Sequence, residues 1–328
     1  GYKVSVLSPN EGVDYFDCYK INSKHSLLIS ISNAVYKIHK IAKINVIWTN
    51  RYFLVLPLFI LSKLIGAKFV CEIHGPERKQ VKLLSSSRKK VIYGFIYSID
   101  EFLLKFLDKI IVVEKELADW LTKEIKIPKE KITYIGNFPD LSIFKPIKTW
   151  HSEKKFTIGY LGSLPKGRID PFLDLVLNNK NGQKFIVIGE GDDKNKVLAN
   201  KKIDYFFEKN YLKIPKLINK IDLGVIFSLS PNIIFPEKGP PMKFFEYLAC
   251  GIPILAVNIP NLKPLIEGNG VGLVVEKDKL EEGVEKMKNN YVWYKNNVLK
   301  FIEKMEKYYS WGNEKKKIAQ VLESFEGK

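Results

Sequence analysis

A lysine and a glutamate three residues apart carry the most specific chemistry in this sequence. Lys243 and Glu246 follow Pro240-Pro241 and precede Gly251. Pro241 suits the first position of a helix and Gly251 suits its end, so a helix is predicted between them. Residues three apart share one face of a helix, which places a cation and a carboxylate together near the positive end of the helix dipole.

This pair could bind a phosphorylated ligand. A diphosphate would meet the helix N-terminus and Lys243, and Glu246 would accept hydrogen bonds from the hydroxyls of an adjoining ribose. The same spacing also fits an ordinary amphipathic helix with a surface ion pair, in which Phe244, Phe245 and Leu248 face a core. Spacing alone leaves both interpretations open.

The elements around this helix indicate the α/β class, with two doubly wound parallel sheets. Short apolar runs rich in β-branched residues alternate with helical stretches, which is typical of parallel strands covered on both faces. Ligand sites in such sheets lie at the carboxyl ends of the strands. The predicted strands are Val4–Leu7, Val46–Trp48, Phe69–Ile73, Ile110–Val113, Thr133–Ile135, Phe156–Leu161, Phe185–Ile188, Leu223–Phe227 and Ile254–Val257.

Length and cysteine content indicate the number of domains and the cellular compartment. A chain of 328 residues is expected to form two domains, which we place at 1–152 and 153–328. The 3 cysteines are odd in number and far apart, which argues against a disulfide framework or a clustered metal site and favours the cytoplasm. The apolar run from Tyr52 to Ile65 is too short to span a bilayer, and we interpret it as a buried helix.

The net charge of +17 is most concentrated in one basic segment. An apolar and aromatic run, Val91 to Tyr97, follows it directly. Such a segment can bind an anionic membrane surface or a lipid-diphosphate acceptor, although a solvated loop before a core helix also fits. Its cations, candidates for membrane docking, are Arg78, Lys79, Lys82, Arg88, Lys89 and Lys90.

The segment Lys243–Ile254 resembles the donor-binding signature of the retaining glycosyltransferases of family 4. That family has the GT-B fold, in which two Rossmann-like domains face each other across a cleft. Further segments resemble motifs of the same family and occur in the same order. They are Glu72–Gly75, Ile135–Pro146, Ile158–Gly167, Ile186–Gly191 and Tyr309–Trp311.

The resemblance implies that a sugar is transferred from a nucleotide-diphosphate sugar, a UDP- or GDP-sugar, to a glycan or lipid-linked acceptor. It implies retention of the anomeric configuration without an obligatory metal or cofactor. The N-terminal domain would bind the acceptor and the C-terminal domain the donor, with the last helix, about 311–325, crossing back. Together with the basic segment, it suggests bacterial surface polysaccharide or glycolipid assembly, in the cytoplasm or on the inner face of its membrane.

The resemblance and the local sequence also suggest roles for individual residues. Four are expected to act in the reaction: His74, Lys166, Lys243 and Glu246. The donor would be bound by Gly162, Ser163, Lys166, Arg168, Gly189, Lys243 and Glu246. Candidates for the cleft or the acceptor are Asn50, Arg51 and Asn137. We interpret Asp192-Asp193 as a solvated turn rather than a metal site.

Two departures from the family pattern keep other functions open. Ser163 stands where the family usually has arginine, and Lys238 stands where it has the first of two paired glutamates, with Glu237 one position away. These departures would suit a non-catalytic GT-B partner of another glycosyltransferase. A nucleic-acid-binding protein would explain the charge, but the basic residues are dispersed and no recognised module is present.

Overall fold

The protein is described by a computed structural model. It describes residues 3–8, 17–20, 27–50, 54–75, 87–147, 155–179, 182–227 and 239–326. The chain divides into two compact units, Gly1–Ile135 with Gln320–Lys328, and Gly136–Ala319.

This division lies upstream of the domain boundary expected at residues 152 and 153. The segment that follows residue 135 is held by the second unit. Asn219 Oδ1 accepts the N–H of Ile147 at 2.8 Å, and its Nδ2 donates to the carbonyl of Lys145 at 3.1 Å. The rings of Phe138 and Phe245 also meet edge to face, with centroids 4.9 Å apart. Residues 136–147 therefore pack as part of the second unit.

The first unit contains parallel strands with helices between them. Its strands are β1 (Ser5–Ser8), β2 (Asp17–Lys20), β3 (Val46–Thr49), β4 (Lys68–Ile73), β5 (Lys109–Val112) and β6 (Ile132–Tyr134). Its helices are α1 (Leu27–Ile41), α2 (Val55–Ile65), α3 (Ser87–Leu103) and α4 (Lys115–Trp120). One sheet has the order β3-β4-β5-β6, and β1 pairs with β2 separately. Phe69, Cys71 and Ile73 bring the buried side of β4 into the core beneath these helices.

The second unit is a single parallel sheet with its helices. Its strands are β7 (Thr157–Leu161), β8 (Lys184–Ile188), β9 (Ile203–Phe206), β10 (Leu223–Phe227), β11 (Ile254–Val257) and β12 (Gly272–Val275). Its helices are α5 (Asp170–Leu177), α6 (Lys194–Ala199), α7 (Ile214–Ile218), α8 (Met242–Ala249), α9 (Lys263–Ile266), α10 (Leu280–Asn289), α11 (Tyr291–Tyr308) and α12 (Trp311–Glu323). The strand order is β12-β11-β10-β7-β8-β9. The terminal helix α12 continues past the point at which the chain is divided.

The apolar runs of the sequence form strands as predicted. Each predicted strand is present with its ends shifted by no more than one residue, and β2, β9 and β12 are additional. All residues of β7, β10 and β11 are buried, as expected for central parallel strands covered on both faces. The predicted fold class, two parallel-sheet α/β domains, is confirmed.

The interpretation of Tyr52–Ile65 as a buried helix is wrong for one of its faces. Helix α2 buries Val55 and Leu58 but exposes Leu56, Ile60 and Leu64, which are spaced four residues apart. Apart from Ser62 and Lys63 the helix is apolar all round, so its hydropathy could not show which face the fold leaves uncovered. Among the described residues, no helix combines the length and the apolar character needed to cross a bilayer.

Candidate functional site

The strand order of the second unit places a crevice beside β7. From β7 the chain proceeds to β8 and β9 on one side, and then returns to β10 on the other side. Loops at the carboxyl ends of two such neighbouring strands diverge, and ligands of doubly wound sheets bind in the gap between them. In this unit the gap lies beyond Leu161, where β7 ends, and beyond Phe227, where β10 ends.

The turn after β7 is held close to the turn after β8. The N–H of Gly162 donates to the carbonyl of Ile188 at 2.9 Å, and the N–H of Leu164 donates to that of Glu190 at 2.9 Å. A Cβ on Gly189 would collide with the carbonyl of Gly162. Gly162 itself has a φ of +134°, which disfavours any residue with a side chain. Glycine is therefore required on both sides of this contact.

A buried aspartate positions the rest of the same loop. Asp193 Oδ2 accepts the N–H of Gly167 at 2.6 Å, and Oδ1 lies 3.2 Å from Nζ of Lys196. Only 3% of Asp193 is exposed, whereas Asp192 is exposed. The interpretation of this pair as a solvated turn is therefore wrong for Asp193. Asp193 and Gly167 are 26 residues apart in the sequence, so the local pattern could not reveal their contact.

Helix α8 forms where Lys243 and Glu246 predicted a helix. Pro241 is its N-cap rather than its first helical residue, and Gly251 has a φ of +77° just after its end. The helix is buried from Phe244 onward, so its N-terminal turn is the part that reaches the surface. The hydroxyl of Tyr247 donates to the carbonyl of Gly159 at 3.1 Å, which attaches α8 to β7.

Lys243 projects from the first turn of α8 toward the turn after β7. Its Nζ lies 4.7 Å from the ring centroid of Tyr160, and a Cβ on Gly162 would collide with it. Burial and the neighbouring Arg168 guanidinium lower the pKa of Lys243 to about 8, against the opposite effect of Glu246. A bound anion would therefore stabilise the charged form of Lys243.

Arg168 is the second cation of this end of the sheet. Its Nη1 donates to Oγ of Ser163 at 3.3 Å, and its Nε is buried without a hydrogen-bond partner among the described residues. Lys166, two residues earlier, is exposed in the same loop. The Arg168 guanidinium thus lies close enough to disfavour the charge of Lys243, an arrangement that suits an anion with several oxygen atoms.

Glu246 supplies the carboxylate of α8. It is only 7% exposed, which excludes the interpretation of Lys243 and Glu246 as a simple surface ion pair. Burial raises the pKa of Glu246, while a hydrogen bond from the Tyr211 hydroxyl and the charge of Lys243 oppose the rise. A carboxylate of this kind can accept hydrogen bonds from vicinal hydroxyl groups.

His74 lies in the first unit, directly after β4. Its Nε2 is 2.9 Å from Oε1 of Glu72, and Oε2 of Glu72 accepts the indole N–H of Trp48 at 3.1 Å. Burial disfavours the carboxylate of Glu72, but the hydrogen bonds from His74 and Trp48 outweigh it and hold its pKa below the ordinary value. The predicted position of His74 at the carboxyl end of a strand is therefore correct.

Matches to known families cover both halves of the chain. A Glycosyltransferase Family 4 domain matches residues 1–143. A Glycosyl transferases group 1 domain matches residues 155–291. The chain belongs to these glycosyltransferases. Because the two matches span most of both sheets, the family resemblance seen in the sequence motifs is confirmed.

Solved structures show that this glycosyltransferase has the GT-B fold. It is similar to sucrose-phosphate synthase of Thermosynechococcus elongatus, with a TM-score of 0.76 and 13% identity over 99% of this chain and 89% of that one. It is also similar to Anabaena HepE in complex with UDP-glucose, with a TM-score of 0.73 and 14% identity over 98% of this chain and 91% of that one.

The curated relatives of this glycosyltransferase are longer proteins. It is 25% identical over 250 residues to the chitobiosyldiphosphodolichol beta-mannosyltransferase of Candida albicans, which is 67% of this chain and 54% of that protein. The chain spans about half the length of the curated relatives it matches. The sugars and acceptors that those enzymes use therefore describe the relatives and are not assigned to this chain.

The structure places the predicted donor residues of this glycosyltransferase at one end of the second sheet. They are Gly162, Ser163, Lys166, Arg168, Gly189, Lys243 and Glu246. Asn50 is exposed after β3 in the first unit, and Asn137 is exposed at the start of the second. Arg51, Glu237 and Lys238 lie outside the described residues.

The predicted docking segment is described only in part. Arg78, Lys79 and Lys82 lie outside the described residues. The run Arg88-Lys89-Lys90 belongs to the first turn of α3. Farther along this helix the exposed side chains are apolar, with Val91 73% and Phe95 68% exposed.

Four side chains that lie in or beside these sites were not predicted as site residues. They are Tyr160, Asp193, Tyr211 and Glu72. Glu72 lies inside a predicted motif, and its spacing of two residues from His74 on a strand was the available signal. The other three meet their partners through the fold, and their local sequence carries no such signal.

Proposed function

We propose that this glycosyltransferase transfers a sugar from a nucleotide-diphosphate sugar, a UDP- or GDP-sugar, to a glycan or lipid-linked acceptor. The observation that carries the proposal is the pair of cations, Lys243 and Arg168, at the switch point of the second sheet. A diphosphate there would satisfy both charges. Its oxygens could also approach the backbone of Gly162, beside which the ammonium group of Lys243 lies.

The donor-binding residues have different chemical roles. Lys243, Arg168 and Lys166 bind the diphosphate and stabilise the charge that develops on it as the bond to the sugar breaks. Glu246, three residues from Lys243 on α8, accepts hydrogen bonds from the ribose hydroxyls. Positive groups placed at the leaving diphosphate lower the barrier because they interact more strongly with the transition state than with the intact donor.

The family resemblance implies that His74, in the first unit, takes part in the same reaction. Its imidazole donates a hydrogen bond to an oxygen of the donor sugar or diphosphate. Retention of configuration without an obligatory metal belongs to the proposal because the resemblance implies it. Magnetic resonance of the anomeric proton in the product tests the stereochemistry, and a product inverted relative to its donor would refute it.

A lipid-linked acceptor is supported by two independent features. The Candida relative is named for an acceptor of dolichol diphosphate type. In this chain the first unit exposes an apolar row on α2, formed by Leu56, Ile60 and Leu64, and α2 packs against α3, which begins in the basic segment. We infer that these helices dock on an anionic membrane surface. We also infer that the enzyme acts in bacterial surface polysaccharide or glycolipid assembly.

Flotation with vesicles tests the docking surface. Ile60→Ser and the combined change of Arg88, Lys89 and Lys90 to glutamine should each reduce binding to anionic vesicles. Leu198→Ser is the matched control, since Leu198 is 52% exposed in the second unit and Ile60 is 51% exposed. Equal flotation of all forms would contradict the membrane proposal while leaving the transferase proposal intact.

Sugar transfer from UDP-, GDP-, ADP- and CMP-sugars to a membrane lipid extract tests the function itself. One donor should be turned over by the wild type. Glu246→Gln should reduce the turnover at least tenfold, and Glu303→Gln, an exposed glutamate of α11, should not. Absence of turnover, with no thermal shift on adding nucleotide, would favour the non-catalytic GT-B partner instead.

A further inference from the structure

Glu72 and His74 form a contact at the end of β4 that the donor chemistry leaves unexplained. The two residues are two apart on an extended chain, so their side chains lie on the same side of the sheet. Nε2 of His74 is 2.9 Å from Oε1 of Glu72. His74 is 44% exposed in its side chain, whereas Glu72 is 26% exposed. The less exposed carboxylate thus supports the more exposed imidazole.

Trp48 holds the carboxylate from the neighbouring strand. Its indole nitrogen donates to Oε2 of Glu72 at 3.1 Å, so the two oxygens of the carboxylate have separate partners. Trp48 lies on β3 opposite Val70, two residues before Glu72 on β4. The pairing of β3 with β4 therefore fixes the place of Glu72. The chain of contacts runs from Trp48 through Glu72 to His74.

An ionised carboxylate decides where the imidazole carries a proton. The hydrogen bonds from His74 and Trp48 keep the pKa of Glu72 below its ordinary value despite burial, so Glu72 is charged at neutral pH. A charged carboxylate can only accept hydrogen bonds, and Nε2 of His74 must therefore be protonated. With Nε2 donating to Glu72, the hydrogen bond to the donor must come from Nδ1, which carries a proton only in the imidazolium form, and an adjacent carboxylate stabilises that form.

We propose that Glu72 is a positioning residue of the transfer reaction, which fixes the ring of His74 and the proton on its Nε2. This inference rests on the proposed function for the role of His74 in the reaction. Glu72 does not contact the substrate. It sets the orientation and protonation with which His74 meets the donor, much as a carboxylate orients a histidine in other enzymes.

Nitrogen NMR spectroscopy of the His74 imidazole in the ligand-free protein tests the contact directly. The ring signals of His74 are assigned by their loss in His74→Gln. The wild type should show a slowly exchanging proton on Nε2. Glu72→Ala should lose it and change the nitrogen shifts, Glu72→Asp should restore part of it, and Glu116→Gln, which removes an exposed charge of the same unit, should change nothing. Identical His74 signals in Glu72→Ala and the wild type would overturn the proposal.

Kinetics then test whether the contact serves the reaction. Glu72→Ala should lower kcat about tenfold or more while the KM for the donor changes less than about threefold, and Glu72→Asp should recover part of kcat. Trp48→Phe should have a smaller effect in the same direction. Altered nitrogen signals with an unchanged kcat would also overturn the proposal. If the wild type transfers no sugar, the proposed function fails, and the nitrogen signals alone decide whether Glu72 fixes the imidazole.

Discussion

The backbone of Gly162 and the ammonium group of Lys243 lie so close that a Cβ at position 162 would collide with Nζ. This contact joins the turn after β7 to the first turn of α8, which come from distant parts of the sequence. It makes glycine a requirement of the site for two reasons, the left-handed φ of +134° and the space that the lysine occupies.

Gly162→Ala should therefore impair donor binding more than it impairs folding. The strained backbone should cost about 1–3 kcal/mol of unfolding free energy, and displacement of Lys243 should raise the donor KM at least tenfold. Gly182→Ala is the matched control, because Gly182 also has a positive φ, +68°, but a Cβ there meets nothing within 4 Å. Steady-state kinetics and urea unfolding measure both effects. A normal KM in Gly162→Ala would contradict the placement of Lys243.

The low pKa of Lys243, about 8, predicts a pH dependence of donor capture. The ammonium form binds the diphosphate, and it is lost as pH rises through about 8, so kcat/KM for the donor should decline above that pH. The bound diphosphate would stabilise the ammonium form, so kcat should decline at a higher pH. The charged groups that face Lys243 are Arg168, which lowers its pKa, and Glu246, which raises it.

Lys243→Arg separates this titration from that of other groups. Arginine stays charged across this range, so the decline of kcat/KM near pH 8 should disappear in the variant even if its maximal rate is lower. A profile of the same shape in both proteins would show that another group titrates.

Asp193 should support the donor loop without contacting the donor. Asp193→Ala leaves the N–H of Gly167 without its acceptor at 2.6 Å, which should cost about 1–3 kcal/mol of stability and raise the donor KM. Asp192→Ala, at the exposed neighbouring position, should stay within about 0.5 kcal/mol of the wild type. Equal effects of the two changes would refute a positioning role for Asp193.

Glu314 should stabilise the second unit at its connecting segment. It is 1% exposed, and it accepts the N–H of Gly136 at 2.8 Å and pairs with Lys317 at 2.8 Å. Glu314→Ala should lower the unfolding free energy by about 1–3 kcal/mol, because a buried N–H loses its acceptor. Glu323→Ala, at an exposed position of the same helix, is the control for urea unfolding. No difference between them would contradict this contact.

The sequence predicted the strands and the helix of the donor site well because both depend on local signals. Nine apolar runs became strands, and the spacing of Lys243 and Glu246 between Pro241 and Gly251 predicted α8. The contacts that complete the sites were not predictable in the same way. Asp193 reaches back across 26 residues to Gly167, and Tyr211 reaches Glu246 from a separate segment. Such contacts depend on the packing of whole elements.

Binding of the nucleotide alone is the most direct test of the donor site. Calorimetric titration of the wild type with UDP and with GDP should show that at least one of them binds. Lys243→Ala should weaken that binding at least tenfold, and Lys300→Ala, an exposed lysine of α11, should leave it unchanged. Failure of both nucleotides to bind the wild type, or equal binding to Lys243→Ala, would contradict the account.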